Sequence, residues 1–171
     1  MSRGRAGASL AAEMALRVPL PPDLPLEEWD ELTLLAAAVW GEARGESPDG
    51  QVAVADVVLN RVRHPGWWGR SIHEVLLRDT NHDGLPEQFS CFRPVAKGGQ
   101  LELLRRPLDH DSEQAWHDAF RAAALVIFAV TDRVVNHATH YVATSIPPPG
   151  WTKDLVDLGM AGHHHFYRVR A

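Results

Sequence analysis

A single glutamate, Glu42, stands where an apolar run of the chain ends. It lies in the segment Trp40-Gly41-Glu42-Ala43-Arg44-Gly45-Glu46, directly after the run Leu32 to Val39. An apolar helix over that run would deliver the carboxyl to its own end, beside an aromatic ring. Burial favours the neutral form of a carboxyl, and one kept protonated near neutral pH can act as a general acid. Cleavage of a glycosidic bond needs such a group to protonate the leaving oxygen. The alternative is a solvated glutamate at a helix C-terminus, where the helix dipole disfavours negative charge.

Two further groups have metal-binding chemistry. Asp79-Thr80-Asn81-His82-Asp83-Gly84 fits the opening of a calcium loop, Asp-x-Asn-x-Asp-Gly, with Asp79, Asn81 and Asp83 as ligands. The glutamate expected at loop position twelve is replaced by Ser90, although Glu87 could substitute. A structural Ca2+ and a plain polar turn both stay open; no cofactor is expected to be required. The run His163-His164-His165 cannot meet one ion from a strand, because successive residues face opposite sides. A zinc-dependent amidase would need three ligands and an open position; His137, His140 and His164 could supply them.

Positioning these groups takes a single domain. The chain has 171 residues, 45% of them hydrophobic, which suits one domain with its own core. Net charge is −5, which argues against nucleic-acid binding by bulk electrostatics. The one cysteine, Cys91, excludes an internal disulfide framework and any multi-cysteine zinc site. The longest apolar run, Ala122 to Val130, falls short of the roughly 20 residues that span a bilayer, so no membrane insertion is expected.

Residues 1–26 read as an N-terminal extension or surface arm, since Pro19, Pro21, Pro22 and Pro25 favour extended backbone. Residues 27–171 form the expected catalytic domain. A first helix is expected from Leu26 to Trp40 or Gly41, and a second, central and buried, from Ser47 or Pro48 to Val62. Asn60 on that helix is expected to tie loops together by hydrogen bonds. Ser71 to Arg78 reads as a short helix and Thr80 to Lys97 as irregular backbone. Asp111 and Gln114 resemble a capping box opening a helix to about Thr131. That helix would pack through Ala115, Ala119, Ala122, Ala123, Val126 and Val130. Strands are expected at His137 to Ala143 and His164 to Val169. In the pair Trp67-Trp68, adjacent residues cannot share one face, so one ring is expected at the surface.

The pieces Gly41-Glu42-Ala43-Arg44-Gly45-Glu46, Gly50-Gln51-Val52-Ala53-Val54-Ala55 and Val58-Leu59-Asn60-Arg61-Val62 resemble the SleB-type cell-wall hydrolase family. The resemblance continues through Gln88-Phe89-Ser90-Cys91, Ala138-Thr139-His140-Tyr141, Pro149-Gly150-Trp151 and His164-His165-Phe166-Tyr167-Arg168, in the family's order. It implies an α+β, mainly helical, lysozyme-like transglycosylase-type fold with a small strand and loop region. It also implies cleavage of the β-1,4 bond from N-acetylmuramic acid (MurNAc) to N-acetylglucosamine (GlcNAc) in bacterial peptidoglycan, with Glu42 as the catalytic acid and base. In a lytic transglycosylase the attacking group is the sugar's own C6 hydroxyl, so one carboxylate suffices and the product is 1,6-anhydro-MurNAc. Glu46 could orient the site or bind sugar. Gln88 and Ser90 could hydrogen-bond acetamido groups, Tyr141 and Tyr167 could stack on sugars or bond Glu42, and Trp151 could wall a cleft. Phe89 is expected in the core.

The alternatives are a hydrolytic muramidase, with Glu46, Asp79 or Asp83 as second carboxylate, the zinc amidase above, or a non-catalytic wall-binding module. The N-terminus, Met1-Ser2-Arg3-Gly4-Arg5, is basic but is followed by no clear signal-peptide core. The expectation is therefore a protein made in the cytoplasm that reaches the wall after release. A phage or prophage endolysin, acting as a monomer and exported through a holin pore, fits that expectation.

Overall fold

Asp30 sets the start of the central helix. Its side chain accepts a bond of 2.9 Å from the Thr33 backbone N–H and one of 2.7 Å from the Thr33 hydroxyl. In this computed structural model, which describes residues 18–130, 135 and 137–170, helix α1 therefore runs Glu31–Ala43. The expected start at Leu26 is displaced: Leu26–Glu28 is a separate 3-10 turn, and the cap at Asp30 breaks continuity. Leu34, Leu35, Val39 and Trp40 are wholly buried on α1, and each such side chain contributes roughly 1.5–3 kcal/mol on leaving water.

Ser47 caps α2, Pro48–Arg63, with Pro48 in its first turn as expected. α3 is Ile72–Leu77 and the short α4 is Leu101–Leu104. α5 spans Glu113–Ile127 and is capped by Ser112, whose hydroxyl accepts from the Ala115 N–H at 3.1 Å. The expected capping box is thus shifted by one residue. Asp111 accepts instead from the Ser112 N–H and pairs with Arg44, while Gln114 bonds Asp118. The helix also stops short of the expected Thr131, which lies outside the described residues, and Val130 is exposed beyond its end. The small face through Ala119, Ala122 and Ala123 lets α5 approach α1 and α2 closely.

Three antiparallel strands, β1 His140–Ala143, β2 Leu155–Ala161 and β3 His164–Val169, form a sheet of order β1-β3-β2. β1 is shorter than expected, and β2 was not expected at all. β2 carries a register shift between Asp157 and Gly159, whose φ of 87° interrupts the two-residue alternation that marks a strand. The sheet face bearing Tyr141, His164 and Phe166 turns to the helices, and Phe166 joins their core. Asn60 ties the chain leading into β1, donating to the carbonyls of Ala138 at 3.0 Å and Val135 at 3.4 Å.

Of the expected N-terminal arm, residues 19–25 run along the domain, Leu26 is buried in its core, and residues 1–17 lie outside the described residues. The Trp116 indole donates to the Pro19 carbonyl at 3.0 Å, and Arg105 donates to Leu24 at 2.9 Å. No helix among the described residues is long and apolar enough to cross a membrane.

Candidate active site

Glu42 occupies the last turn of α1, on the wall of a cavity of about 440 Å³ that is also lined by Arg61, Trp67, Gln88, His140, Tyr141 and Trp151. The turn is placed by a close approach. A Cβ on Gly41 would lie 2.6 Å from the Cys91 Cβ, so only glycine lets α1 rest on the Cys91 segment. The same turn is tied laterally by Gln100, which donates to the Gly41 carbonyl at 3.0 Å and accepts from Arg44 at 2.7 Å. Arg44 covers the Trp40 ring at 4.3 Å and pairs with Asp111 at 3.3 Å.

Two neutral donors converge on the Glu42 carboxyl. The Tyr141 hydroxyl donates to Oε2 at 3.4 Å, and the buried Cys91 thiol lies close enough to interact with the same carboxyl. Burial pushes the Tyr141 phenol well above its ordinary value, and the Glu42 charge adds to the effect. The Cys91 thiol is pushed up for the same two reasons, in the same order. Both groups therefore stay protonated and remain donors across physiological pH.

Arg61, from the apolar helix α2, forms another wall. It is buried; its Nε donates to the Thr139 carbonyl at 2.8 Å and its Nη1 to Gln88 Oε1 at 3.4 Å. Its guanidinium also lies 5.7 Å from the Trp68 ring centre and 5.5 Å from that of Phe89. Beside it, His140 is pushed down to about 4 by burial and then by the Arg61 charge, so it is a neutral imidazole near pH 7. Trp67 and Trp151, 51% and 44% exposed, leave ring faces open at the rim, whereas Trp68 is buried and donates to the Arg61 carbonyl. The expected exposure of one ring of the Trp67-Trp68 pair is thus found at Trp67.

The other sequence candidates are distributed differently. Gln88 and Trp151 line the cavity with Glu42, and Phe89 is in the core. Ser90 is exposed and opens a 3-10 turn outside the cavity lining. Tyr167 stands behind Trp151, ring centres 6.1 Å apart, and stacks on His165. Glu46 faces the turn joining β2 to β3: its Oε2 accepts from the His163 N–H at 2.7 Å and lies 3.2 Å from the His163 ring nitrogen, while Oε1 is 3.6 Å from His164. Gly162, at φ 58°, packs on that carboxylate.

Asp79 and Asp83 lie in their own loop. Asp79 accepts from the N–H groups of Asp83 and Gly84, Asn81 accepts from that of Asp83, and Asp83 accepts from Leu85 and pairs with Arg93 at 3.3 Å. Neither aspartate, nor Glu46, lines the Glu42 cavity.

The three histidines of the alternative zinc reading are not gathered into one group. His137 pairs with His64 at 3.3 Å, His140 stands between Trp68 and Trp151, and His164 faces Glu46. Among the described residues, no group of three His, Cys, Asp or Glu is arranged to hold a metal ion. Arg61, Trp67 and Cys91 were not singled out as site residues from the sequence, and His140 was considered there only as a zinc ligand. The available signal was Arg61 itself, a charge set within the otherwise apolar run Val57-Val58-Leu59-Asn60-Arg61-Val62.

This architecture, helices gathered around α1 with a small sheet closing one side of the cleft, is an α+β, mainly helical, lysozyme-like transglycosylase fold. It matches the catalytic domain of the germination-specific lytic transglycosylase SleB from Bacillus anthracis with a TM-score of 0.57 and 24% identity, over 85% of this chain and 100% of that one. The catalytic domain of Bacillus cereus SleB gives 0.54 and 24%, over 89% and 98%. The family model for cell wall hydrolases matches residues 45–167, and the chain belongs to that family. Glu42 lies just ahead of the matched span. The spore cortex-lytic enzyme of Halalkalibacterium halodurans is 58% identical over 137 residues, 80% of this chain and 34% of that protein. That of Bacillus subtilis is 58% identical over 36 residues, 21% of this chain and 12% of that protein. The chain thus spans about a third or less of the length of these relatives.

Proposed function

We propose that this domain cleaves the MurNAc-β-1,4-GlcNAc bond of peptidoglycan as a lytic transglycosylase. The observation that carries this reading is that Glu42 is the one carboxylate lining the cavity among the described residues. An ordinary glycosidase needs two carboxyls flanking the bond. A transglycosylase needs one that changes role. Glu42, protonated, gives its proton to the leaving glycosidic oxygen. The resulting carboxylate then takes the proton of the C6 hydroxyl as that oxygen attacks C1, closing the 1,6-anhydro ring. Proton donation in one step and acceptance in the next follow from microscopic reversibility. Tyr141 steadies the carboxylate between the steps, and the exposed rings of Trp67 and Trp151 offer apolar plates to sugar rings.

The test is mass spectrometry of muropeptides released from purified peptidoglycan by wild type and by Glu42→Gln. Anhydro-muramyl products that vanish in the variant are expected. Reducing muramic acid ends would mean hydrolysis with a second carboxylate brought in by movement, and free stem peptides would replace the glycosidase reading altogether.

A further inference from the structure

Arg61 is a buried cation for which the fold supplies no counter-charge among the described residues. Two of its N–H groups are used, on the Thr139 carbonyl and on Gln88, and both acceptors are neutral. Among the described residues the remaining N–H groups have no acceptor, and none of the ion pairs includes Arg61. The aromatic rings of Trp68 and Phe89 lie near it, but a π face offers no anion. Desolvating a charge without a partner is strongly unfavourable, and a ligand that arrives in the cavity can satisfy such a group. What is open in front of Arg61 is the cavity it shares with Glu42.

Resting on the proposed glycosidase activity, we infer that Arg61 binds an ionised carboxylate carried by the muramyl unit of the glycan. A guanidinium matches a carboxylate through two parallel N–H bonds, and the pairing neutralises the charge. An acetamido oxygen would take one bond and leave the cation uncompensated, and an uncharged sugar hydroxyl would do the same. Of the other groups lining this cavity only Glu42 can carry negative charge, and it forms no ion pair with Arg61; Gln88 is neutral, Tyr141 stays protonated and His140 is a neutral imidazole. Peptidoglycan offers the carboxylate in two places. One is the lactyl group of muramic acid, free once the stem peptide has been removed. The other is the set of free carboxylates on the stem peptide itself. The same chemistry serves both, and in either case the enzyme would discriminate among glycans by their peptide substitution.

Three substrates separate the cases: peptide-free glycan chains, the same chains with lactyl carboxylates converted to methylamides, and uncrosslinked chains bearing stems. The readout is kcat/KM for release of glycan fragments by wild type. A charge-assisted pair predicts that a carboxylate-bearing substrate exceeds the methylamide by roughly ten- to a hundredfold. Preference for the peptide-free acid alone assigns the lactyl group, and preference for the stem-bearing chains assigns the stem. Equal cleavage of all three overturns the inference while leaving the glycosidase reading intact; cleavage of none overturns that reading instead. Arg61→Gln should flatten the preference and Arg61→Lys should keep part of it, with circular dichroism melts checking the fold. Should Arg61→Gln fail to fold, the wild-type comparison alone still decides.

Discussion

In the proposed mechanism Glu42 must hold one position while its charge changes, and its neighbours are suited to that. Tyr141 and Cys91 are both kept protonated by burial and by Glu42 itself, so neither competes for the proton being transferred. The Tyr141 bond, at 3.4 Å, is long, which puts its worth at the lower end of neutral donors to a carboxylate. Tyr141→Phe should therefore lower kcat by roughly two- to tenfold with little change in KM, the size of one modest hydrogen bond. Steady-state kinetics on solubilised glycan would check this. An unchanged kcat would mean that Cys91 and the helix end suffice to aim the carboxyl. The glutamate was legible in the sequence because an acid at the close of an apolar run is costly unless used. Arg61 carried the same signal, a charge within an apolar helix, but Asn60 beside it has the plainer structural role and drew the reading.

At the scale of elements, the site depends on how closely α1 approaches the Cys91 segment. Alanine is favoured over glycine within a helix by roughly 1 kcal/mol, yet a Cβ at position 41 would stand 2.6 Å from the Cys91 Cβ. That atom is fixed to backbone and cannot swing aside, so overpacking, at roughly 1–3 kcal/mol, outweighs the propensity gain. Gly41→Ala should lower the melting temperature by a few degrees, at about 2–4 °C per kcal/mol. It should also reduce activity further than stability, because Glu42 follows directly. Gly45 is the control. It has nothing within 4 Å of its would-be Cβ, so Gly45→Ala should stay within about 0.5 kcal/mol of wild type. Thermal melts and activity assays on the two variants make the comparison; a Gly41→Ala variant as stable as Gly45→Ala would refute the packing argument. α2 was legible because Ser47 reads as a cap and is one, whereas Asp30 at α1 was read as lying inside the helix and its expected start was displaced accordingly. Two adjacent capping residues, Asp111 and Ser112, explain the one-residue shift at α5. β2 escaped because its bulge at Gly159 breaks the alternation, and the Glu46 contacts that anchor its turn come from 117 residues away along the chain.

For the whole molecule, the sheet and helices meet through histidines that folding forces to stay neutral. His140 is pushed down to about 4 by burial, then by Arg61. His164 is lowered by burial, which outweighs the opposite pull of Glu46 and Glu42 and is aided by His163. In the unfolded chain both take up a proton near the ordinary value of 6.5. Between that value and about 4 the unfolded state therefore binds more protons than the folded state, and stability rises with pH. The contribution is fully present above 6.5 and is lost as the solution is acidified towards 4. Carboxylates held below their ordinary values, such as Asp30, lose their contribution only at lower pH, starting from the ordinary value of 3.8. Melting temperature should consequently fall between about pH 6.5 and 5, ahead of the loss of the Asp30 contribution. His140→Asn removes the larger of the two histidine penalties and should flatten the slope in that window, leaving the His164 share. Differential scanning calorimetry across the range reads both curves. Parallel slopes for wild type and variant would mean that the His140 ring finds enough water in the cleft to protonate as freely as in the unfolded chain.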